Sequence, residues 1–491
     1  MECTVIFEAD VLSAFPAEVP IAAGLVAESL EVSAAQRPSM FVVLDDDPTG
    51  TQSVADLPVL TRWEAADFAW AFAHKINGQR SQAVYVLTNT RSLDPAEAAA
   101  RNEEIVRNAL AAAQKADVQL SFVSRGDSTL RGHYPLEPDV IAATINRVTG
   151  EATDGVIIVP AFPDAGRVTI GGVHYLRGTG KTSGQLTPVG ETEFARDATF
   201  GFSSSELAEY VEEKSLGRIR ASSVIVLSLH VIRSSATAIA DAIDSATEST
   251  PIVADVVTEN DLRALALGLA EAERRGKKLL YRVGPPFVRA RIGQEIRCAL
   301  TSEEAYAGTT PSDAGGLIVV GSHVSVTTRQ LTALTEQHRS ARVVEISVEQ
   351  LFGDNPEEYV DETVATVVAA LPSGDVILQT SRVLVKAHDA AESLRIARAV
   401  SSAVVAVVNR TLKTFPPRFV IAKGGITSSD VAAHGLELRH AVVRGPMLPG
   451  IVSLWEPMDG PATGIPFVVF AGNVGDDDSL ALVTRKLSNT F

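Results

Sequence analysis

Residues Phe41–Ser53 read FVVLDDDPTGTQS. Phe41 to Leu44 have the composition of a buried strand. They run straight into Asp45, Asp46 and Asp47, and then into Pro48, Thr49 and Gly50. Adjacent carboxylates repel, and burial sharpens the repulsion. A strand that ends this way either uses the charges or lets water reach them. Successive strand residues face opposite ways, so three carboxylates cannot aim at one point unless the backbone turns. Pro48 supplies the turn and biases Asp47 away from helical geometry.

Working outward, short Val- and Ile-rich runs recur at 41–44, 83–88, 120–124 and 155–162, and again at 222–229 and 251–256. Between them lie helical stretches. In 94–116, Asp94 is placed to cap and Pro95 to open the helix; another stretch covers 260–276. Strand–helix alternation predicts a parallel sheet with helices on its faces. The polar, Gly-rich stretch 301–316 reads as a linker. The alternation then restarts at 317–322, 341–347, 374–381 and 418–425. The expected fold class is therefore α/β, with two domains of mainly parallel sheet. The boundaries are an N-terminal extension over 1–38 with a short helix near Ile21–Leu30, a first domain over 39–300, the linker, and a second domain over 317–491.

Open parallel sheets bind ligands at the carboxyl ends of their strands. Three such ends in the first domain carry matching chemistry: DDDPTGTQ, SRGDSTLRGH (Ser124–His133) and PAFPDAGR (Pro160–Arg167). Arg125, Arg131 and Arg167 offer forked donors for an anion. Asp46, Asp47 and Asp127 offer acceptors for hydroxyls, or a base for one. Thr49, Ser128 and Thr129 add hydroxyls, and Gly50, Gly126 and Gly132 permit close backbone approach. Together they suit a small polyhydroxy acid. The bland alternative, ion pairs capping strand ends, is favoured for any single loop but not for three.

The second domain ends its strands in glycine. GSHVSVTTRQ (321–330), KGGITSSD (423–430) and FVVFAGNVGDDDS (467–479) each lead from a strand towards a helix. Free N–H groups and small hydroxyls there are a recipe for phosphate, so these loops point to a nucleotide. Lys423 is read either as a phosphate partner or as a solvated side chain. Arg289 and Arg291 in GPPFVRARIG are read as a solvated face or as reaching a cleft.

Other chemistries lack their signatures. The aspartates are consecutive and no Glu stands at the twelfth position, so an EF-hand is rejected. HExxH, GxSxG and the Walker loop are absent, and no metal ligand set is assigned. A net charge of −17 over 491 residues disfavours nucleic acid. The cysteines, Cys3 and Cys298, have no metal spacing, which suits a reducing cytoplasm. Neither a secretory signal nor a membrane-spanning run is apparent. Oligomeric state is open, a homo-oligomer included.

The motifs resemble those of the four-carbon acid sugar kinases, once known only as a domain of unknown function. Asp46-Asp47-Pro48-Thr49-Gly50 is similar to the family's Asp-Asp-x-Thr-Gly, and Asp127 to Gly132 to its Asp-Ser-Thr-x-Arg-Gly. Pro160 to Arg167 and 188–202 resemble the segments that follow. Gly321-Ser322 with Thr327 and Gln330, Gly424-Gly425-Ile426-Thr427-Ser428, and Gly472-Asn473-Val474-Gly475 resemble the family's nucleotide loops. Ile426 departs from the acidic residue often found there, and Asp45 from a small one. The resemblance implies ATP-dependent phosphorylation of a terminal hydroxyl on an acid such as threonate, erythronate or 3-oxo-tetronate. It further implies an acid sugar in the first domain, ATP in the second, Mg²⁺ carried with the ATP, and substrate and ATP meeting in an interdomain cleft. Asp47 or Asp127 would take the hydroxyl proton, and arginines of the DSTLRG and PAFPDAGR loops would clamp the carboxylate. The rivals are a lyase or ligase, for which these loops offer no suitable lysine, and a non-catalytic metabolite sensor.

Overall fold

The computed structural model describes residues 5–34, 38–76, 78–381 and 390–491. The chain divides into two compact units: Met1–Val54 with Trp63–Ile296, and Ala55–Arg62 with Arg297–Phe491.

The first unit is built on strands β1 (Ser39–Asp45), β2 (Ala83–Leu87), β3 (Gln119–Arg125), β4 (Gly155–Val159), β5 (Ile225–Leu227), β6 (Thr250–Ala254) and β7 (Leu279–Val283). Every pairing is parallel, in the order β5-β6-β4-β7-β3-β1-β2. Buried runs such as FVVL and AVYVL fit a sheet covered on both faces. Helices α1 (Pro95–Ala116), α2 (Leu136–Thr149) and α3 (Glu259–Arg274) lie between strands. At the start of α1, Asp94 accepts from the amides of Ala96 and Glu97, and Pro95 supplies a preset φ. At α3, Thr258 and Asp261 form a reciprocal capping box.

β2 lies on one side of β1 and β3 on the other. The connection therefore reverses direction at β1, and the carboxyl ends of β1 and β3 form the switch point where such sheets bind ligands.

The second unit is mixed. The strand Leu57–Leu60 pairs antiparallel with β12 (His440–Leu448), which pairs with β13 (Ile451–Pro457), and that with β14 (Phe467–Phe470). From β14 the sheet continues in parallel through β11 (Val420–Lys423), β8 (Leu317–Val320), β10 (Val376–Thr380) and β9 (Arg342–Ile346). The core gathers Ile318, Val320, Ile421, Val468 and Phe470 under Leu331 and Leu334 of α4 (Ser325–Gln337). Beyond these run α5 (Ala390–Thr414), α6 (Gly425–Asp430) and α7 (Ser479–Leu487).

Four expectations are corrected. The N-terminal stretch is more than an extension: Ile6–Phe7 pairs with Gln185–Pro188, and the short helix expected there, Ala23–Ala34, packs on α3. The expected linker belongs to the second unit, where Thr301 caps the helix Ser302–Ala305 and Ala314 is buried. Residues 55–62, assigned above to the first domain, supply an edge strand of the second unit. Arg289 and Arg291 are buried and ion-paired, the first to Glu259 and Asp164, the second to Glu273. Among the described residues no helix is long and apolar enough to cross a membrane.

Candidate functional site

At the end of β1 the three aspartates separate, as strand alternation requires. Asp45 is 1% exposed and paired with Arg125. Burial, with Asp46 and Asp47 adding to it, pushes its carboxyl up to about 7 in spite of that guanidinium. Asp46 is equally buried and bound in a fork by Arg91, Nη2–Oδ1 2.6 Å and Nε–Oδ2 3.2 Å, with Arg125 at 3.1 Å. Asp47 is partly open. Its Oδ1 accepts from the Thr49 amide at 2.9 Å, and Oδ2 from Arg91 at 3.5 Å. Burial opposes its ionisation, but Arg91, Arg125 and Thr49 hold its carboxyl below the usual range.

Two expected ligand contacts are thereby corrected. Arg125 is 2% exposed and donates to Asp45 and to the carbonyls of Gly126 and Asp47, so its donors are committed internally. Asp46 is likewise consumed by two arginines. Gly50 is needed for the same reason: a Cβ there would overlap the Asp45 carboxylate and the Arg125 guanidinium. Its close approach is to a buried ion pair, not to a ligand.

The DSTLRG loop supplies the open part of the site. Asp127 Oδ2 accepts from Thr129 Oγ1 and Arg131 Nε, both at 2.6 Å. Against the effect of burial, Arg91, Arg131 and Thr129 hold the Asp127 carboxyl well below the usual range. The charges of Asp127 and Arg131 also act on Arg167, so the third loop does join the other two. Arg167 is half-buried, and its Nε is enclosed without a hydrogen-bond partner. Phe194 lies under Arg131 at 5.8 Å and Asp197 stands 4.0 Å from it, which brings the 188–202 segment alongside.

Three supporting residues escaped the sequence reading. Arg91 follows β2, where the rule applied to the other strand ends would have found it. Arg282 lies on β7, a strand not recognised. It pairs with Glu137 at 2.5 Å, and its guanidinium fills the space a Cβ on Gly126 or Gly132 would need. His174, fully buried, holds the carbonyl of Ser128 through Nε2 at 2.8 Å, while Nδ1 meets Thr169 Oγ1 at 3.0 Å. Burial pushes this imidazole down to about 4, so it is neutral. His133 is also structural: its Nε2 lies 3.0 Å and 3.1 Å from the carbonyls of Thr90 and Leu93, tying the DSTLRG loop to the Arg91 loop.

In the second unit, β14, β11 and β8 are neighbours, so their three glycine loops adjoin. Thr327 Oγ1 lies 2.9 Å from the Gly472 carbonyl and 3.1 Å from Ser322 Oγ. A Cβ on Gly321 would collide with Thr427 Oγ1, and one on Gly472 would come within 2.6 Å of Ser322 Oγ. Gln330 ties down the Val474 and Asp476 carbonyls at 3.0 and 2.7 Å. Gly425 opens α6, while Ile426 and Asn473 are exposed beside these loops. Ser428 is corrected: its fully buried hydroxyl donates inward to the Ala422 carbonyl. Lys423, expected at a phosphate or in solvent, has no exposed surface.

Beside Gly321 and Thr427 opens a cavity of about 340 Å³. Val348, Ile396, Val400 and Val404 make its wall apolar, and the Ser401–Asp430 hydrogen bond adds a polar edge. A concave apolar site with a few polar groups is the usual form of a small-molecule pocket. Among the described residues no three His, Cys, Asp or Glu gather as a metal cluster.

Residues 41–291 match the model of a sugar-binding N-terminal domain, and residues 317–480 that of a nucleotide-binding C-terminal domain. These define a two-part α/β protein of the sugar- and nucleotide-binding class. The chain belongs to the four-carbon acid sugar kinase family. It is 24% identical to a D-erythronate kinase of Heliobacterium modesticaldum, over 92% of this chain and 99% of that one. Its fold is similar to that of a Salmonella typhimurium LT2 protein described as a tRNA synthase, at 16% identity and TM-score 0.64. It also resembles Haemophilus influenzae protein HI1011, at 17% identity and TM-score 0.59. Both alignments cover 91% of this chain and 99% of the other.

Proposed function

We propose that the protein transfers the γ-phosphate of ATP to a terminal hydroxyl of a four-carbon acid sugar, of the erythronate, threonate or 3-oxo-tetronate kind. The observation that carries this reading is Arg167, a guanidinium with a buried, unpartnered Nε beside the ionised Asp127 and Arg131. A carboxylate on a small sugar is a forked acceptor suited to the partly open guanidinium.

Arg167 and Arg131 bind the carboxylate, with Thr49 and Ser128 nearby for the hydroxyls; the expected Thr129 contact is corrected, since its buried hydroxyl donates to Asp127 and accepts from Arg131. Asp127, already committed to Thr129 and Arg131, orients the acceptor. Asp47 Oδ2, the less encumbered oxygen, takes the proton of the attacking hydroxyl. Phosphoryl transfer has little bond-making for a base to assist, so positioning and charge neutralisation carry most of the rate. The apolar cavity takes the nucleoside. Gly321, Ser322, Gly424, Gly425, Thr427, Gly472 and Asn473 take the phosphates.

Neutral hydroxyls on Ser322, Thr327 and Thr427 suit a metal carried in on the nucleotide, as Mg²⁺ generally is. Mg²⁺ would neutralise charge on the phosphates. Phosphorus NMR of the protein with ATP and each acid tests the reading. A new phosphomonoester coupled to a terminal CH₂ is expected with at least one acid, and only inorganic phosphate would contradict it.

A further inference from the structure

Lys423 ends β11 immediately before Gly424, and none of its surface is exposed. Its Nζ donates to the Ala471 carbonyl at 2.6 Å and lies 3.8 Å from the Phe470 ring centroid. Among the described residues no carboxylate pairs with it. The titratable groups on the adjoining elements are His323 after β8, Asp430 on α6 and Asp476 after β14, and none acts appreciably on the amine. Burial alone pushes the amine down to about 6, so the ligand-free protein holds it largely neutral.

Its position gives this isolation a meaning. Ala471 leads into Gly472, whose surface faces Ser322 Oγ, and Lys423's own carbonyl accepts from the amides of Gly321 and Ser322 at 3.2 and 3.3 Å. The amine thus lies one peptide beneath the junction of the three glycine loops. Buried lysines are normally paired. The only anion this architecture invites is one that arrives above those loops.

We propose that Lys423 is the buried counter-charge of the nucleotide phosphates: it takes a proton from solvent when an anionic nucleotide binds, and acts through the Ala471–Gly472 peptide without touching the ligand. Lys423 is therefore a positioning residue, and nucleotide binding is linked to proton uptake. The inference rests on the nucleotide-binding reading of the glycine loops. At an effective dielectric constant of about 20, one unit charge about 6 Å away corresponds to roughly a hundredfold in affinity.

The test is calorimetry of ATP binding, as its magnesium complex and without an acid sugar, in buffers of different ionisation enthalpy. Net uptake of a large fraction of one proton per ATP is expected. Affinity should weaken, by up to about tenfold per pH unit, as pH rises between about 6 and 8. Lys423→Met keeps the stem's shape without the charge. It should abolish the uptake and the pH dependence, and weaken binding at least about tenfold at neutral pH. Uptake that persists in Lys423→Met, or wild-type binding without uptake, overturns the proposal while leaving the nucleotide reading intact. The wild-type measurement needs no variant to fold. Absence of any ATP binding overturns both.

Discussion

Asp45 and Asp47 stand two positions apart and hold their protons very differently. Asp45 faces the interior against Arg125, and burial raises its carboxyl to about 7. Asp47, with Arg91 and Thr49 around it, is held low and stays ionised. An ionised, partly open carboxylate can receive a proton; a buried one facing an arginine cannot exchange with a substrate. Asp47→Asn should therefore lower kcat by about 10²–10⁴ with the KM for ATP little changed. Arg167→Ala should raise the KM for the acid by roughly 10- to 100-fold and leave that for ATP alone. Steady-state kinetics in both substrates separates the two effects. His174 gives a stability prediction. Its folded pKa of about 4 lies below the ordinary histidine value of 6.5. The unfolded chain thus binds the proton first, and stability falls as pH drops from about 6.5 towards 4. His174→Asn should flatten that part of the urea-midpoint profile. The acid motifs and Arg167 were legible as residue types. His174 was not, because a lone histidine on a strand carries no sign of whose carbonyl it will hold.

Among the elements, the strand–turn transition after β1 is tightly packed. Gly50 leaves no room for a methyl group against Asp45 and Arg125. Gly50→Ala should cost about 1–3 kcal/mol in denaturant unfolding and disturb the acid site, with little effect on ATP. Gly424, at φ +126, is the corresponding point in the second unit. Gly424→Ala should weaken ATP binding first, as titration with ATP alone would reveal. All the parallel strands but β7 were readable, because each is a short apolar run followed by turn residues. The β12–β13 hairpin was overlooked, although Pro449-Gly450 between two apolar runs is its turn signature. β7 was missed as well, and Arg282 with it. The rule that ligands gather at strand ends singled out three loops, and omitting β2 from it left Arg91 unseen.

The whole chain is not two beads on a linker. It leaves the first unit after Val54, contributes Leu57–Leu60 to the second, returns at Trp63, and passes over again after Ile296. No local pattern in 55–62 announces that its partner is β12, nearly four hundred residues away. A fragment of residues 297–491 should expose the β12 edge and be prone to self-association. Fusing residues 55–62 to it should cover that edge and suppress the self-association, as sedimentation would report. The central claim concerns the intact protein, with its sugar-type and nucleotide-type units acting in one reaction. Coupled ADP release, run with ATP and a panel of four-carbon acids, tests it most directly. ADP formation should depend on one or a few of these acids and be nearly lost in Asp47→Asn. ATP and an acid both binding, with no ADP released from any of them, would contradict the account and leave a metabolite sensor in place of a kinase.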